Sequence, residues 1–452
     1  MKKYIPCTVF LILMVCAARA ENIPVASSLV TLPAAYQNAP ETNVPAVSQR
    51  WLKNITDPQL NDIIAKVLRY NATLGQMLAT INRLKAEYGI ARSTLYPNAD
   101  VGFTAGAFGS QAESQGYYGV SIPVSYELDV WGRLRLARKA SFADITVAKE
   151  DKMALAMTLV AEAMEVYYRG LYLNEQVRIF EQAVSVAREI KDLKKQRYDK
   201  GLIAKGEFLR SEKELSEFST ARADMEAQRI RNEHALKTMM GEYPADGWLQ
   251  GDFILPEYLA AVLTGLPSEL VKQRPDIRAQ QSRLESAGFR ITAARRDFFP
   301  RVTLTASGVK SSLESQQIID SVFGSWDAFA HISIPLIEGG RKSSTVKVEE
   351  SRYQQALEEY RDILLQAFKE VEDALAQGNK QVLIVQELKK HEDSLQGIYE
   401  LNKARYAHGM DSALVAKESR LDVIRALTEK NKAALKLASG RIQLFRALGG
   451  EW

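Results

Sequence analysis

Tyr118-Gly119-Val120-Ser121-Ile122-Pro123-Val124-Ser125-Tyr126-Glu127-Leu128-Asp129-Val130 carries seven apolar residues on one parity and none on the other. Successive side chains of an extended chain point to opposite faces, so this stretch reads as a strand with one apolar and one polar face. Pro123 falls on the polar parity and removes one ladder donor, which predicts an edge position or a bulge there. Upstream, Val101, Phe103, Ala105 and Ala107 alternate with Gly102, Thr104 and Gly106, and a polar loop from Gly109 to Gly116 separates the two runs. A second pair lies far downstream. There Val302, Leu304 and Ala306 alternate with Arg301, Thr303, Thr305 and Ser307, and Trp326, Ala328, Ala330, Ile332, Ile334 and Leu336 alternate with Asp327, Phe329, His331, Ser333 and Pro335. The chain thus holds two β-hairpins, over residues 99–130 and 301–336. Their strands are about ten residues long, the length that crosses a bilayer at a tilt.

Each hairpin runs into a long helical tract. Residues 133–200 contain no Pro and a single Gly, Gly170, and a continuous helix of that length would reach ~100 Å. In the second tract Tyr353, Leu357, Tyr360, Leu364, Ala367, Val371 and Ala374 are spaced alternately four and three apart, a 3.5-residue repeat that predicts coiled-coil packing. Both tracts end on one landmark, Arg197-Tyr198-Asp199-Lys200-Gly201 and, 208 residues later, Arg405-Tyr406-Ala407-His408-Gly409. Gly201 and Gly409 suit the left-handed position just past a helix end. Return helices follow from about Ala204 to Met240 and from about Ser412 to Ala447, so each landmark is the tip of a helical hairpin, over 133–240 and 341–447. Trp131-Gly132-Arg133 and Gly339-Gly340-Arg341 recur at the same shift, as do Gly241 and Gly449. The chain is one structural half written twice, over residues 51–250 and 251–452. The first half opens with a helix at Asp57-Pro58, whose stripe Leu60, Ile63, Ile64, Val67, Leu68 runs with interruptions to about Leu95.

The beginning of the chain reads as an address. Lys2 and Lys3, an apolar run from Thr8 to Ala17 and the triplet Ala18-Arg19-Ala20 form a secretory signal peptide, 1–20, cleaved after Ala20. In the rival reading Cys16 is acylated, although Val15 before it is bulkier than the residue usual at that place. Residues 21–50 follow as an extended segment rich in Pro, Ala, Ser, Asn and Thr. The two cysteines, Cys7 and Cys16, both lie in the leader, which excludes disulfides and thiolate chemistry from the mature chain. Of the formal charge of +4, Lys2, Lys3 and Arg19 supply three, and the near-neutral remainder does not argue for nucleic acid. His234, His331, His391 and His408 form no local metal motif, and no Gly-rich phosphate loop opens a helix. No enzyme, metal or cofactor signature is present.

No stretch after the leader approaches the ~20 apolar residues of a membrane helix, so a spanning role would fall to the strands. Four strands cannot close a barrel, and an open edge in lipid leaves backbone groups unpaired. Protomers must pool them, to eight strands in a dimer or twelve in a trimer. Long helices continuing from the strands would crowd an eight-strand mouth, which favours the homotrimer.

The chain resembles the TolC-like outer membrane efflux proteins, closest in the branch that serves resistance-nodulation-division pumps (OprM-like or NodT-like). The marks are Trp51 with Thr56-Asp57-Pro58-Gln59-Leu60, the string Ser125-Tyr126-Glu127-Leu128-Asp129-Val130-Trp131-Gly132-Arg133, Arg274-Pro275-Asp276-Ile277, Phe299-Pro300 and the two Arg-Tyr-x-x-Gly tips, across essentially the whole mature chain. The resemblance implies a mainly α protein with a membrane β-barrel: a trimeric 12-stranded barrel, four strands per chain, continued by an α-helical coiled-coil tunnel in the periplasm. It implies a gated exit duct for substrates that an inner-membrane pump delivers through a periplasmic adaptor, a membrane fusion protein. Outer membrane lipid would surround the barrel.

Site residues follow from the resemblance. Tyr406 matches an aromatic residue that constricts the periplasmic entrance, and Glu207, Asp411 and Glu418 follow the tips where three-fold symmetry would ring a lumen with carboxylates. Asp411 stands where some relatives place Arg, and Val415 where others place an acid, so an Arg-to-carboxylate latch does not carry over. Arg197, Tyr198, Gly201, Arg405, Tyr406 and Gly409 would meet the adaptor, although a helix terminus needs the same Gly and Arg for its own turn. The competing reading is a periplasmic coiled-coil adaptor, or an exported scaffold, without a pore.

Overall fold

The structure, a computed structural model, describes Tyr36 and residues 55–109, 114–254, 273–312 and 324–449. The leader 1–20 with Cys16, the extended segment 21–50 apart from Tyr36, and Trp51 lie outside the described residues. In chain order the elements are α1 (Pro58–Tyr70), α2 (Ala72–Ser93), β1 (Asn98–Ala99), β2 (Gly102–Gly109), β3 (Ser114–Leu128), α3 (Arg133–Asp199), α4 (Lys205–Met239), α5 (Pro275–Arg296), β4 (Arg301–Ser312), β5 (Ser325–Ser333), α6 (Arg341–Ala407) and α7 (Ala413–Leu448). The duplication is visible in element lengths: α3 and α6 each have 67 residues, α4 has 35 and α7 has 36.

The chain divides into two compact units. One takes in residues 79–150 and 277–363 and holds the sheet, in which β3 pairs with β1 and β2 on one side and β4 on the other, and β4 pairs with β5, all antiparallel. The hairpins of the two halves therefore join directly. Opposed residues share a face, and the registers put Ala99, Val101, Phe103 and Ala105 in line with Tyr118, Val120, Ile122, Val124, Tyr126 and Leu128. Val302, Leu304 and Ala306, then Ala328, Ala330 and Ile332, continue the same face. The opposite face carries Asn98, Ser121, Ser125, Glu127, Thr303, Thr305, Ser307, Asp327 and His331. One face is thus apolar across four strand positions apart from Lys310 and Ser312 at one end, and the other is largely polar, with Val309 and Phe329 among its apolar members.

Pro123 behaves differently from the expectation. It lies in a strand paired on both sides, and no bulge accompanies it, because Ala99 opposite Val124 and Gly102 opposite Ser121 keep one register. The amide of Asp100 donates to the Pro123 carbonyl at 3.2 Å. Pro123 has no N–H with which to return that bond, so the edge strand is read as two pieces, β1 and β2. At the far end β5 stops at Ser333 where the alternation continued to Leu336. Pro335 offers no donor, and Leu336 and Ile337 are about nine-tenths exposed.

Strands pass to helices through a charged and aromatic junction. Asp129 accepts from the Leu134 and Arg135 amides at 3.0 and 2.9 Å, satisfying orphan donors at the start of α3. Trp131 stacks on Phe299 at 5.1 Å, and its indole donates to the Pro300 carbonyl at 2.7 Å. Asp297 receives Arg301 at 2.6 Å, with Lys342 and Arg133 each 3.6 Å away. Burial works to raise the Asp297 pKa, but these cations outweigh it and hold the carboxyl below its usual value. A depressed folded-state pKa contributes stability that is present above the unfolded value of about 3.9 and lost as pH falls through the folded one. We expect the stability gap between wild type and Asp297→Asn to be full at neutral pH and to shrink below about pH 4. Thermal melts across that range read it directly.

The other unit takes in residues 32–78, 151–276 and 364–452. Its core sets Leu60, Ile63, Ile64 and Val67 of α1 among Val160, Ala163, Met164 and Tyr167 of α3, Leu236 of α4, and Ala438 and Ile442 of α7. Asp57 caps α1 by accepting from the Gln59 and Leu60 amides at 2.9 and 3.3 Å, and its second oxygen takes the Tyr167 hydroxyl at 2.5 Å. The interruption in the first helical stripe is Asn71. Its side chain caps α2 through the Thr73 amide at 3.0 Å and donates to the Met239 carbonyl at 3.1 Å. The heptad of α6 is a packed seam, with Tyr353, Tyr360, Leu364, Ala367, Val371 and Ala374 buried and Leu357 half-buried.

Candidate functional site

The two tips close by the same backbone chemistry. In the first, the Gly201 amide donates to the Tyr198 carbonyl and the Leu202 amide to Arg197, both at 2.8 Å. In the second, Gly409 donates to Tyr406 and Met410 to Arg405, both at 2.9 Å. Each is a Schellman closure, with Gly201 and Gly409 at φ +72°, where a Cβ would be strained although open space surrounds it. The expectation of a left-handed glycine at each tip holds.

Side chains make the tips unlike. Tyr198 lies parallel to Phe208 of the returning helix, with ring centroids 5.8 Å apart. The position 208 residues beyond Phe208 is Ala416, which is buried, and Tyr406 has no ring partner among the described residues and stands half exposed. Conversely, Asp411 pairs with Arg405 at 2.8 Å across the second turn. Its counterpart is Ile203, so Arg197 finds no carboxylate among the described residues.

The carboxylates read from the sequence as one gate group are thus in three situations. Asp411 is tied to its own tip. Glu418 pairs with Lys194 of α3 at 2.8 Å, next to pairs of Lys417 with Glu189 and Arg425 with Glu214. Glu207, in the first turn of α4, is exposed and has no cationic partner among the described residues. The packing behind these pairs sets Ile179, Ala183 and Ile190 of α3 against Leu421 and Ile424 of α7. Sequence reading missed Lys194 and Phe208. The signal available for Phe208 was its replacement by Ala in the second copy; Lys194 carried none, because its partner is 224 residues away.

No helix among the described residues is long and apolar enough to cross a membrane. The tips present a stacked aromatic, an exposed aromatic, a lone carboxylate and two paired ones, groups that can dock a partner or set the field and width of a passage.

A family model described as outer membrane efflux protein matches residues 63–242 and 266–450, one match to each half. The toluene efflux pump outer membrane protein TtgF of Pseudomonas putida is 28% identical over 412 residues, covering 89% of this chain and 85% of that one. The probable outer membrane lipoprotein SilC of Salmonella typhimurium is 28% identical over 416 residues, covering 89% and 88%. Among solved structures, the open state of the MtrE outer membrane channel of Neisseria gonorrhoeae matches with a TM-score of 0.80 at 24% identity, over 93% of this chain and 96% of that one.

Proposed function

Since the chain belongs to the outer membrane efflux protein family, we propose that it works as a homotrimer, each copy lending four strand positions to a 12-stranded barrel that opens into a helical tunnel. It is an outer membrane efflux channel. The observation that carries the trimer is the sheet itself. Its outer strands, β5 on one side and β1 with β2 on the other, have no partner among the described residues on their outer edges, while one face is apolar except for Lys310 and Ser312 at one end. A sheet in lipid cannot keep such edges. The far part of α6 supports the same reading, because Leu383, Ile384, Ile398 and Leu401 are between 46% and 63% exposed along one helix. A second and third copy would cover them. In detergent the mature protein should migrate as a heat-sensitive oligomer and fractionate with outer membranes. A soluble monomer would sink the proposal.

Around that trimer we place a periplasmic adaptor on the tips, through Arg197, Tyr198, Gly201, Arg405, Tyr406 and Gly409, and an inner-membrane pump of the resistance-nodulation-division type behind it. Tyr406 narrows the entrance, and the free carboxylate of Glu207 supplies a three-fold ring of negative charge. Asp411 and Glu418, already paired, act as struts. Single-channel recording separates these roles. Glu207→Gln should change conductance or cation block by about two-fold or more, because a ring of like charges dominates the local field. Glu418→Gln should act mainly by freeing Lys194. An unchanged Glu207→Gln trace would remove that carboxylate from the constriction. The leader leaves two mature forms, a chain starting at Glu21 or one acylated at Cys16, which an intact mass distinguishes.

A further inference from the structure

Most cations near the strand ends are matched by carboxylates. Arg133 pairs with Glu127 at 2.8 Å, Arg301 with Asp297 at 2.6 Å, Arg290 with Asp144 at 2.6 Å, Arg295 with Glu350 at 3.0 Å, and Lys342 with Glu338 at 3.4 Å. Three do not follow this pattern: Arg296, Arg138 and Lys139 have no carboxylate partner among the described residues. Arg296 donates to the Trp131 carbonyl at 2.6 Å, and Lys139 sits 5.6 Å over the Phe289 ring.

These cations converge. A Cβ placed on Gly132 would lie 2.6 Å from Arg296 Nη1 and 3.4 Å from Arg135 Nη2, so the two guanidinium groups flank one bare glycine held at φ +75°. Arg135 is also bound to Asp129 at 3.1 Å. Arg138 and Lys139 follow one turn along the same face of α3, and the contact of Lys139 with Phe289 keeps that face beside α5. The result is a pair of guanidinium groups packed against a buried glycine, with two more cations one turn on, at the level where the apolar strand face ends and Trp131 stacks on Phe299. Paired N–H donors in a fork match phosphate oxygens, and an aromatic pair next to basic residues is the composition of a membrane interface.

We propose that Arg296, Arg135, Arg138 and Lys139 around Gly132 form a binding site for the phosphate of an anionic phospholipid in the leaflet that faces the helices. The site rests on the membrane-spanning reading of the strands given above. Bound there, the headgroup would neutralise the surplus charge and bridge α3 to α5 at the base of the sheet.

The test titrates the purified full-length channel, in neutral detergent, with phosphatidylglycerol, phosphatidylcholine or inorganic phosphate, and counts retained lipid by native mass spectrometry. Wild type should hold phosphatidylglycerol about tenfold more tightly than phosphatidylcholine, the scale that one to two basic contacts give. Arg296→Gln keeps a donor for the Trp131 carbonyl and removes the charge, so it should erase most of that preference. Arg296→Lys should restore part of it, and Arg138→Gln should weaken it independently. Equal retention of the two lipids by wild type, or a preference untouched in both Gln variants, would overturn the site. Competition by inorganic phosphate as strong as that by phosphatidylglycerol would make it a soluble-anion site and overturn the lipid assignment. Conductance recorded on the same preparations keeps the outcomes apart, because a conducting oligomer without lipid preference fails this proposal alone, whereas a chain that never inserts fails the channel assembly beneath it.

Discussion

Val124→Arg should abolish assembly in the outer membrane, while Ser125→Arg, one residue along the same strand, should assemble and only change conductance. Val124 lies mid-strand on the apolar face, aligned with Ala99 and Ala306, and Ser125 lies on the polar face, aligned with Asn98 and Thr305. An arginine facing lipid near the bilayer centre costs about 2–4 kcal/mol per copy, and a lumen-facing one far less. Three copies would bear that cost together in a trimer. Heat-sensitive oligomer on gels and membrane abundance report the first effect, and single-channel traces the second. Equal behaviour of the two variants would mean that the faces have been assigned wrongly.

Arg274→Ala should be the most damaging single change in the helical unit. Arg274 is buried, pairs with Asp276 at 2.6 Å and with Glu370 at 2.8 Å, and donates to the Ala447 carbonyl at 3.1 Å. Burial disfavours its charge, yet the two carboxylates outweigh this and hold its pKa above the ordinary arginine value. Its stem also covers Gly449, where a Cβ would meet Arg274 Cγ at 2.7 Å. The side chain thus fastens the start of α5, the middle of α6 and the end of α7. Removing one partner of a buried pair costs about 3–5 kcal/mol because the remaining charges are left uncompensated; Asp276 and Glu370 keep some water access, so the lower end of that range applies. A fall in melting temperature should accompany it, with less mature protein in the membrane. If Arg274→Ala melts with wild type, these ion pairs contribute nothing net.

Much of this architecture was legible because the signals are periodic. The alternation in residues 118–130 located β3, the 3.5-residue repeat from Tyr353 to Ala374 located a buried seam, and the 208-residue recurrence located both tips. Such patterns are local and survive without tertiary knowledge. The expected edge or bulge at Pro123 did not materialise, because propensity rules price the lost donor but cannot see that one missing rung is tolerated when the register is held on both flanks. Asp411 and Glu418 looked alike as acids after a tip, and only the fold shows one paired with Arg405 and the other with Lys194. Ion pairs across hundreds of residues leave no periodic trace.

The missing rung at Pro123 bears on what the proposed barrel needs from its lumen. The Asp100 carbonyl cannot be served by its opposite number. Around it the polar face holds Asn98, Ser125, Ser307 and Asp327, with Ser307 donating to Asp327 at 2.8 Å and Asn98 to Asp100 at 3.0 Å. In hydrocarbon an unserved carbonyl costs several kcal/mol, so solvent has to reach this row. In the proposed barrel, water would then be a structural ligand as well as a conducting medium, and a plug that dried this row would loosen the wall it was meant to seal.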